Sequence, residues 1–110
     1  MINLQTMNLY DLWEHISTSQ LAALDNNIDQ DLSQEWQFYW DRMKVLVESL
    51  EEGKVLKSLH LDDPIVLFVK YDNQKVHYRD TDEDRIKIMN IVNFVYIHQF
   101  YLLNEVKNVQ

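Results

Sequence analysis

The residues of this chain whose type and spacing could do chemistry are its carboxylates. Asp25 and Asp29, then Asp31 and Glu35, stand four apart, so each pair would share a face if its segment were helical. Asp80, Asp82 and Asp84 alternate, and an extended strand would set them on one side about 6.6 Å apart, with Glu83 between them and Arg85 closing the run. Carboxylates in such a row resemble phosphate charge, since each strand of DNA carries one negative charge per roughly 3.4 Å of axis. A protein that displays them beside an apolar patch can occupy the basic groove of a DNA-binding enzyme.

Little else points to catalysis. The chain has no Cys, which removes thiolate zinc sites, thiol nucleophiles and disulfides. Its one glycine, Gly53, cannot build a loop that cradles phosphate. His15, His60, His77 and His98 are isolated from one another and match no zinc spacing. The stretch His77-Tyr78-Arg79-Asp80 beside Asp82 and Asp84 could ligate a cation but lacks the spacing of an EF-hand, and reads as solvated hairpin residues. Ser17, Ser19, Ser33, Ser49 and Ser58 sit in no nucleophile elbow. The expectation is a non-enzymatic protein with no cofactor and no metal.

Charge points the same way. The 110 residues hold 10 Lys plus Arg against 18 Asp plus Glu, a net charge of −8. Residues 1–41 contain Asp11, Glu14, Asp25, Asp29, Asp31, Glu35 and Asp41 but no Lys or Arg, whereas the remainder is nearly neutral. A field of one sign repels nucleic acid and anionic membrane and favours a basic protein partner. Acidity that only maintains solubility is the competing explanation. No apolar run reaches the roughly 18–20 residues of a membrane span, and Met1-Ile2-Asn3-Leu4-Gln5-Thr6 lacks the basic start of a signal peptide. A cytoplasmic location is expected.

The elements that must position these acids follow from periodicity. Leu9, Leu12, Trp13, Ile16, Leu21 and Leu24 predict a helix capped by Asn8, open to interruption at Ser17-Thr18-Ser19. The stretch from Asp25 to Asp31 predicts an exposed loop. Trp36, Trp40, Met43, Val47 and Leu50 form one stripe of a second helix, with its start capped by Asp31 or Ser33 and its end at Glu51-Glu52-Gly53, where Gly53 suits a left-handed cap. Its tryptophans are packing residues on that stripe. Val55 to Leu61 fits a short helix or a strand equally. Ile65 to Val69 predicts a strand that returns through Asp72 and Asn73 into Val76 to Arg79. Ile86-Lys87-Ile88 begins as a strand or short turn, and Val92, Val95, Tyr96, Gln99 and Leu103 continue as a C-terminal helix. The fold class is α+β: two or three helices packed on a small antiparallel sheet, in one domain spanning residues 1–110.

The segment from Asp63 to Leu103 resembles the C-terminal half of the staphylococcal-type uracil-DNA glycosylase inhibitors. The resemblance rests on a proline-led apolar strand (Pro64, then Ile65 to Phe68), a return strand ending Tyr78-Arg79-Asp80 before an acidic tip, and a closing Tyr101-Leu102-Leu103. It covers about forty residues; the N-terminal half matches in the order of elements only. The resemblance implies an acidic DNA mimic that fills the DNA-binding groove of uracil-DNA glycosylase, binding one to one as a monomer. It implies that Asp29 or Asp31, between the first two helices, imitates phosphate, and that a side chain of the acidic tip enters the groove. The family has a histidine there; this chain has Asp82-Glu83-Asp84-Arg85, which leaves Glu83 or Arg85 for the role, with His77 one strand residue too early. The partner-facing set is then Asp25, Asp29, Asp31, Glu35, Asp80, Asp82, Glu83, Asp84 and Arg85. The alternative is an acidic mimic or adaptor for a different basic nucleic-acid-binding protein.

Overall fold

The computed structural model of the chain describes Leu4 and residues 6–107. Asn8 starts the first helix, α1 (Leu9–Asp25), by accepting the Tyr10 N–H on its side chain at 2.8 Å. Ser17, Thr18 and Ser19 do not interrupt it, because Leu12, Ile16 and Ala23 hold a buried stripe across them. That stripe passes through Ala23 and leaves Leu21 and Leu24 exposed, against expectation. The second helix, α2 (Ser33–Ser49), buries Tyr39, Met43 and Val47, with Trp36 and Trp40 half-buried at the flank of the stripe. Arg42 on α2 donates to the carbonyls of Leu4 and Met7, so the two helices run antiparallel and their connection lies at the opposite end.

α2 ends three residues earlier than predicted. Leu50 is extended (φ −67°, ψ 140°) and packs against the core. Gly53 does adopt a left-handed φ of +85°, but in the turn into the sheet, where its N–H donates to the Phe68 carbonyl at 2.9 Å.

Four antiparallel strands follow: β1 (Val55–Leu56), β2 (Val66–Asp72), β3 (Lys75–Asp80) and β4 (Lys87–Asn90), ordered β1-β2-β3-β4. Val55 thus begins a strand, which resolves the ambiguity of that segment. The β2–β3 hairpin turns on Asn73 and Gln74, with φ of +50° and +65°, the paired left-handed geometry that matches strand twist. Val66 opposes Asp80 and Phe68 opposes Tyr78; then β2 inserts one extra residue, so that Lys70 opposes His77. Leu56, Val66, Phe68, Val76 and Tyr78 point to the face that the helices cover, and all five are buried.

The C-terminal helix is two helices, α3 (Ile91–Ile97) and α4 (Gln99–Lys107). Asn90 caps α3 through the Val92 N–H. At the break, the His98 carbonyl accepts from both Tyr101 and Leu102, and the His98 ring lies among Tyr78, Phe94 and Tyr101. The break sets Tyr101, Leu102 and Leu103 into the core. The result is a single small α+β domain with all its helices on one face of the sheet.

Burial pushes the His98 imidazole below the ordinary histidine value, against the opposing pull of the Phe94 carbonyl and of Asp80. Protonation therefore favours the unfolded chain. Stability contributed at this site is complete above the ordinary histidine value of about 6.5 and falls as pH is lowered through it. Denaturant midpoints taken from neutral pH downward should fall less steeply in His98→Gln than in the parent. Gln74→Gly, which relieves a left-handed non-glycine residue, should raise the unfolding free energy by about 0.5–1 kcal/mol, as read by the same titration.

Candidate functional site

The connection between α1 and α2 is built rather than loose. Asn27 takes a left-handed φ of +53°, its N–H donates to Leu24, and the Ile28 N–H reaches back to the Ala23 carbonyl at 2.8 Å. This paired closure is the Schellman ending of a helix, here with asparagine where glycine is commoner. It draws Ile28 over Ala23. At the other end, the Asp31 carboxylate accepts the Ser33 N–H at 3.0 Å as α2 begins. Ser33, through its hydroxyl first and its N–H second, holds the Asp31 carboxyl below the ordinary carboxylate range. Between these anchors Asp25, Asp29 and Asp31 are exposed. None has an ion-pair partner among the described residues.

Beside the loop is an open recess of about 380 Å³, with Ala23, Leu24, Ile28, Leu32 and Trp36 on its apolar side and Gln20, Asp29, Gln30 and Ser33 on its polar side. The hairpin end therefore combines carboxylates outside any ion pair among the described residues with a recess that is apolar on one side. The helical pairing of Asp25 with Asp29 is not realised, since the helix stops at Asp25. Glu35 lies in the first turn of α2, where the helix dipole favours a carboxylate. Its Oε2 is shielded from water and accepts no hydrogen bond. A smaller hollow of about 210 Å³ lies between α2 and α3, formed by Trp40, Val92, Val95 and Tyr96 with Lys44 and Gln37 at its rim.

The acidic tip between β3 and β4 differs from expectation. Thr81 and Asp82 form a turn, the Glu83 N–H folds back to the Asp80 carbonyl at 3.0 Å, and the Thr81 N–H donates to Ile65. Asp80, Asp82 and Asp84 therefore do not form an extended row. Lys87 also reaches into the tip, with its Nζ 2.8 Å from Asp80 and 3.2 Å from Glu83. These two hydrogen bonds hold the Lys87 ammonium above its ordinary range. Asp80 and Glu83 are thus locally neutralised, whereas Asp82, Asp84 and Arg85 remain exposed and outside any ion pair among the described residues.

Sequence reasoning missed three participants. Asp63 stands with Asp80 and Asp82 near the Tyr101 hydroxyl. That group is pushed up first by burial and then by these three acids, and it donates to the Pro64 carbonyl at 2.6 Å. Lys87 is a second, since the alternation of Ile86-Lys87-Ile88 marks it only as a strand residue. The hollow at Leu24 and Ile28 was also unforeseen, although an isoleucine inside an acidic loop was the available signal. Among the described residues, no group of three or more His, Cys, Asp or Glu side chains is placed to hold a metal ion, and no helix is long and apolar enough to cross a membrane.

The fold and this geometry define a small α+β domain with an acidic helical-hairpin end. Comparison with protein-family models, with curated proteins and with solved structures matches nothing to this chain.

The left-handed Asn27 sets both the loop and the hollow. Asn27→Gly should keep or slightly raise stability, whereas Asn27→Val should lose about 1–2 kcal/mol and shift the NMR signals of the Ile28 and Leu24 methyls. A chemical denaturation series with methyl spectra checks both.

Proposed function

We propose that this chain is a non-enzymatic inhibitor that imitates DNA and occupies the DNA-binding groove of uracil-DNA glycosylase, blocking uracil excision. The observation that carries the proposal is the hairpin end, where Asp25, Asp29 and Asp31 stand exposed and outside any ion pair among the described residues, and Asp29 borders a recess whose apolar wall is Ala23, Leu24, Ile28, Leu32 and Trp36. The resemblance of the Asp63–Leu103 segment to the inhibitor family supports the choice of target.

The chemistry suits the role. Glycosylases grip phosphates through backbone amides and polar side chains, and they extrude the base with an apolar wedge pushed into the stack. A mimic presents carboxylates to the phosphate grips and a hollow to the wedge. It has no duplex to bend and no base to flip, so it avoids the deformation cost that DNA incurs. Because the loop is anchored at both ends, little further ordering is needed on binding. The acids steer association and fix register, while Leu24, Ile28 and Trp36 supply apolar contact. The tip contributes through Asp82, Asp84 and Arg85, with Asp80 and Glu83 muted by Lys87. A different basic groove, in a nuclease or another nucleic-acid-binding protein, fits the same surface and is the second reading, because the tip lacks the histidine of the family.

Adding the purified chain to a uracil-excision reaction should suppress excision. The Asp25→Asn, Asp29→Asn, Asp31→Asn triple variant should weaken inhibition by at least about tenfold, the equivalent of about 1.4 kcal/mol. The tip pair Asp82→Asn, Asp84→Asn should do less. Undiminished excision at large excess of inhibitor would turn the assignment to the second reading, and direct binding of DNA by the chain would sink both.

A further inference from the structure

The helices cover one face of the sheet and leave the other open. Register assigns the open face: Val55 opposes Leu67 and Leu67 opposes Arg79; Lys70 opposes His77 and His77 opposes Ile88; Asp72 opposes Lys75. These rows alternate with the core-facing rows of Phe68 with Tyr78, both buried, and of half-buried Tyr71 with buried Val76, so they point away from the core. Val55 and Ile88 are at least half exposed.

The charge of this face is opposite to that of the chain. Lys70, Lys75 and Arg79 stand against Asp72 alone, with His77 between them, in a protein of net charge −8. Arg79 adds an independent sign: its Nε is shielded from water and has no hydrogen-bond acceptor. An unpaired buried donor costs free energy that an incoming acceptor beside the guanidinium can recover in part by re-orienting it. The aliphatic residues between the cations discriminate between anionic ligands. Single-stranded nucleic acid binds where aromatic rings stack its bases, and the rows hold no Phe, Tyr or Trp. The net acidity of the chain also repels a polyanion.

We propose that the open face of the sheet is a second docking surface, which takes an acidic, aliphatic protein segment. Carboxylates of that segment pair with Lys70, Lys75 and Arg79 while its aliphatic side chains cover Val55, Leu67 and Ile88. This surface is separate from the acidic hairpin end and opposite to it in sign, so one chain can engage a basic groove and an acidic segment at once.

The test uses the intact protein and a short peptide of alternating glutamate and valine, followed by amide NMR. Shifts should concentrate at Leu67, Lys70, His77, Arg79 and Ile88, and Lys70→Ala with Arg79→Ala should weaken binding about tenfold. Lys70→Glu with Lys75→Glu changes only exposed side chains, and should abolish the shifts with the fold retained and with inhibition of uracil excision unchanged. Shifts confined to the helices, equal binding of a lysine–valine peptide, or tighter binding of oligothymidylate would each overturn the proposal. So would sedimentation showing that the open face instead binds a second copy of this chain.

Discussion

The pairing of β2 with β3 carries the constraint on which the rest of the structure depends. Phe68 and Tyr78 sit side by side on one face, and with Val66, Val76 and Leu56 they form an apolar surface that water cannot be left to cover. Each such side chain stabilises the fold by about 1.5–3 kcal/mol when buried, so the sheet is stable only under a lid. α3 and α4 supply that lid, and the break between them at His98 lets both lie on it, with Phe94 against Tyr78 and Tyr101 tied to Pro64. α1 and α2 form the outer layer, and Tyr39 of α2 ties it to α4, its hydroxyl donating to Gln99 at 3.2 Å.

Charge is arranged around that core by what can be neutralised locally. At the tip, Lys87 approaches from the neighbouring strand and draws Asp80 and Glu83 into hydrogen bonds. At the hairpin end no cation is near in sequence, since residues 1–41 contain no Lys or Arg. The carboxylates there stay outside any ion pair among the described residues, and the Ser33 N–H fixes where that of Asp31 stands. Two acidic clusters that look equivalent as composition are therefore different as electrostatics. One is a turn in which Lys87 pairs Asp80 and Glu83 and leaves Asp82 and Asp84 outside; the other has no ion pair among the described residues and lies beside a hollow.

How far the sequence discloses this depends on the range of the interactions involved. The helix start at Asn8 is legible because its side chain bonds a backbone N–H two residues on; that of α2 is only partly so, since Leu32 takes the cap position without a side-chain bond and Asp31, one residue earlier, bonds the Ser33 N–H. The hairpin is legible because β-branched runs flank polar turn residues. The phase of the α1 stripe is not: Ala23 and Leu24 differ by one step, and only the position of α2 decides which is buried. The shape of the tip depends on Lys87, beyond the acidic run itself, so the alternation of Asp80, Asp82 and Asp84 misleads. The split at His98 has no local signal, because neither proline nor glycine marks it; the ring is placed there by Tyr78, a strand away. The apolar hollow at Ile28 required the left-handed turn of Asn27, which sequence admits but does not impose.

The order of the strands bears on how the chain reaches this state. In β1-β2-β3-β4 every strand pairs with its neighbour in sequence, and none crosses over another. Closing such a meander needs only short loops, so the entropy lost before each pairing is small. Residues 55–97 can thus assemble by local steps, and proteins rich in local contacts fold quickly. The distant closures remain: Asn104 to Lys57 and Lys54 to Glu105 draw α4 back to β1, and Trp13 meets Phe100 across almost the full chain. The acidic hairpin end is closed by bonds between near neighbours, so its turn forms locally, while its placement on the core waits for α1 to meet α4 across nearly the whole chain.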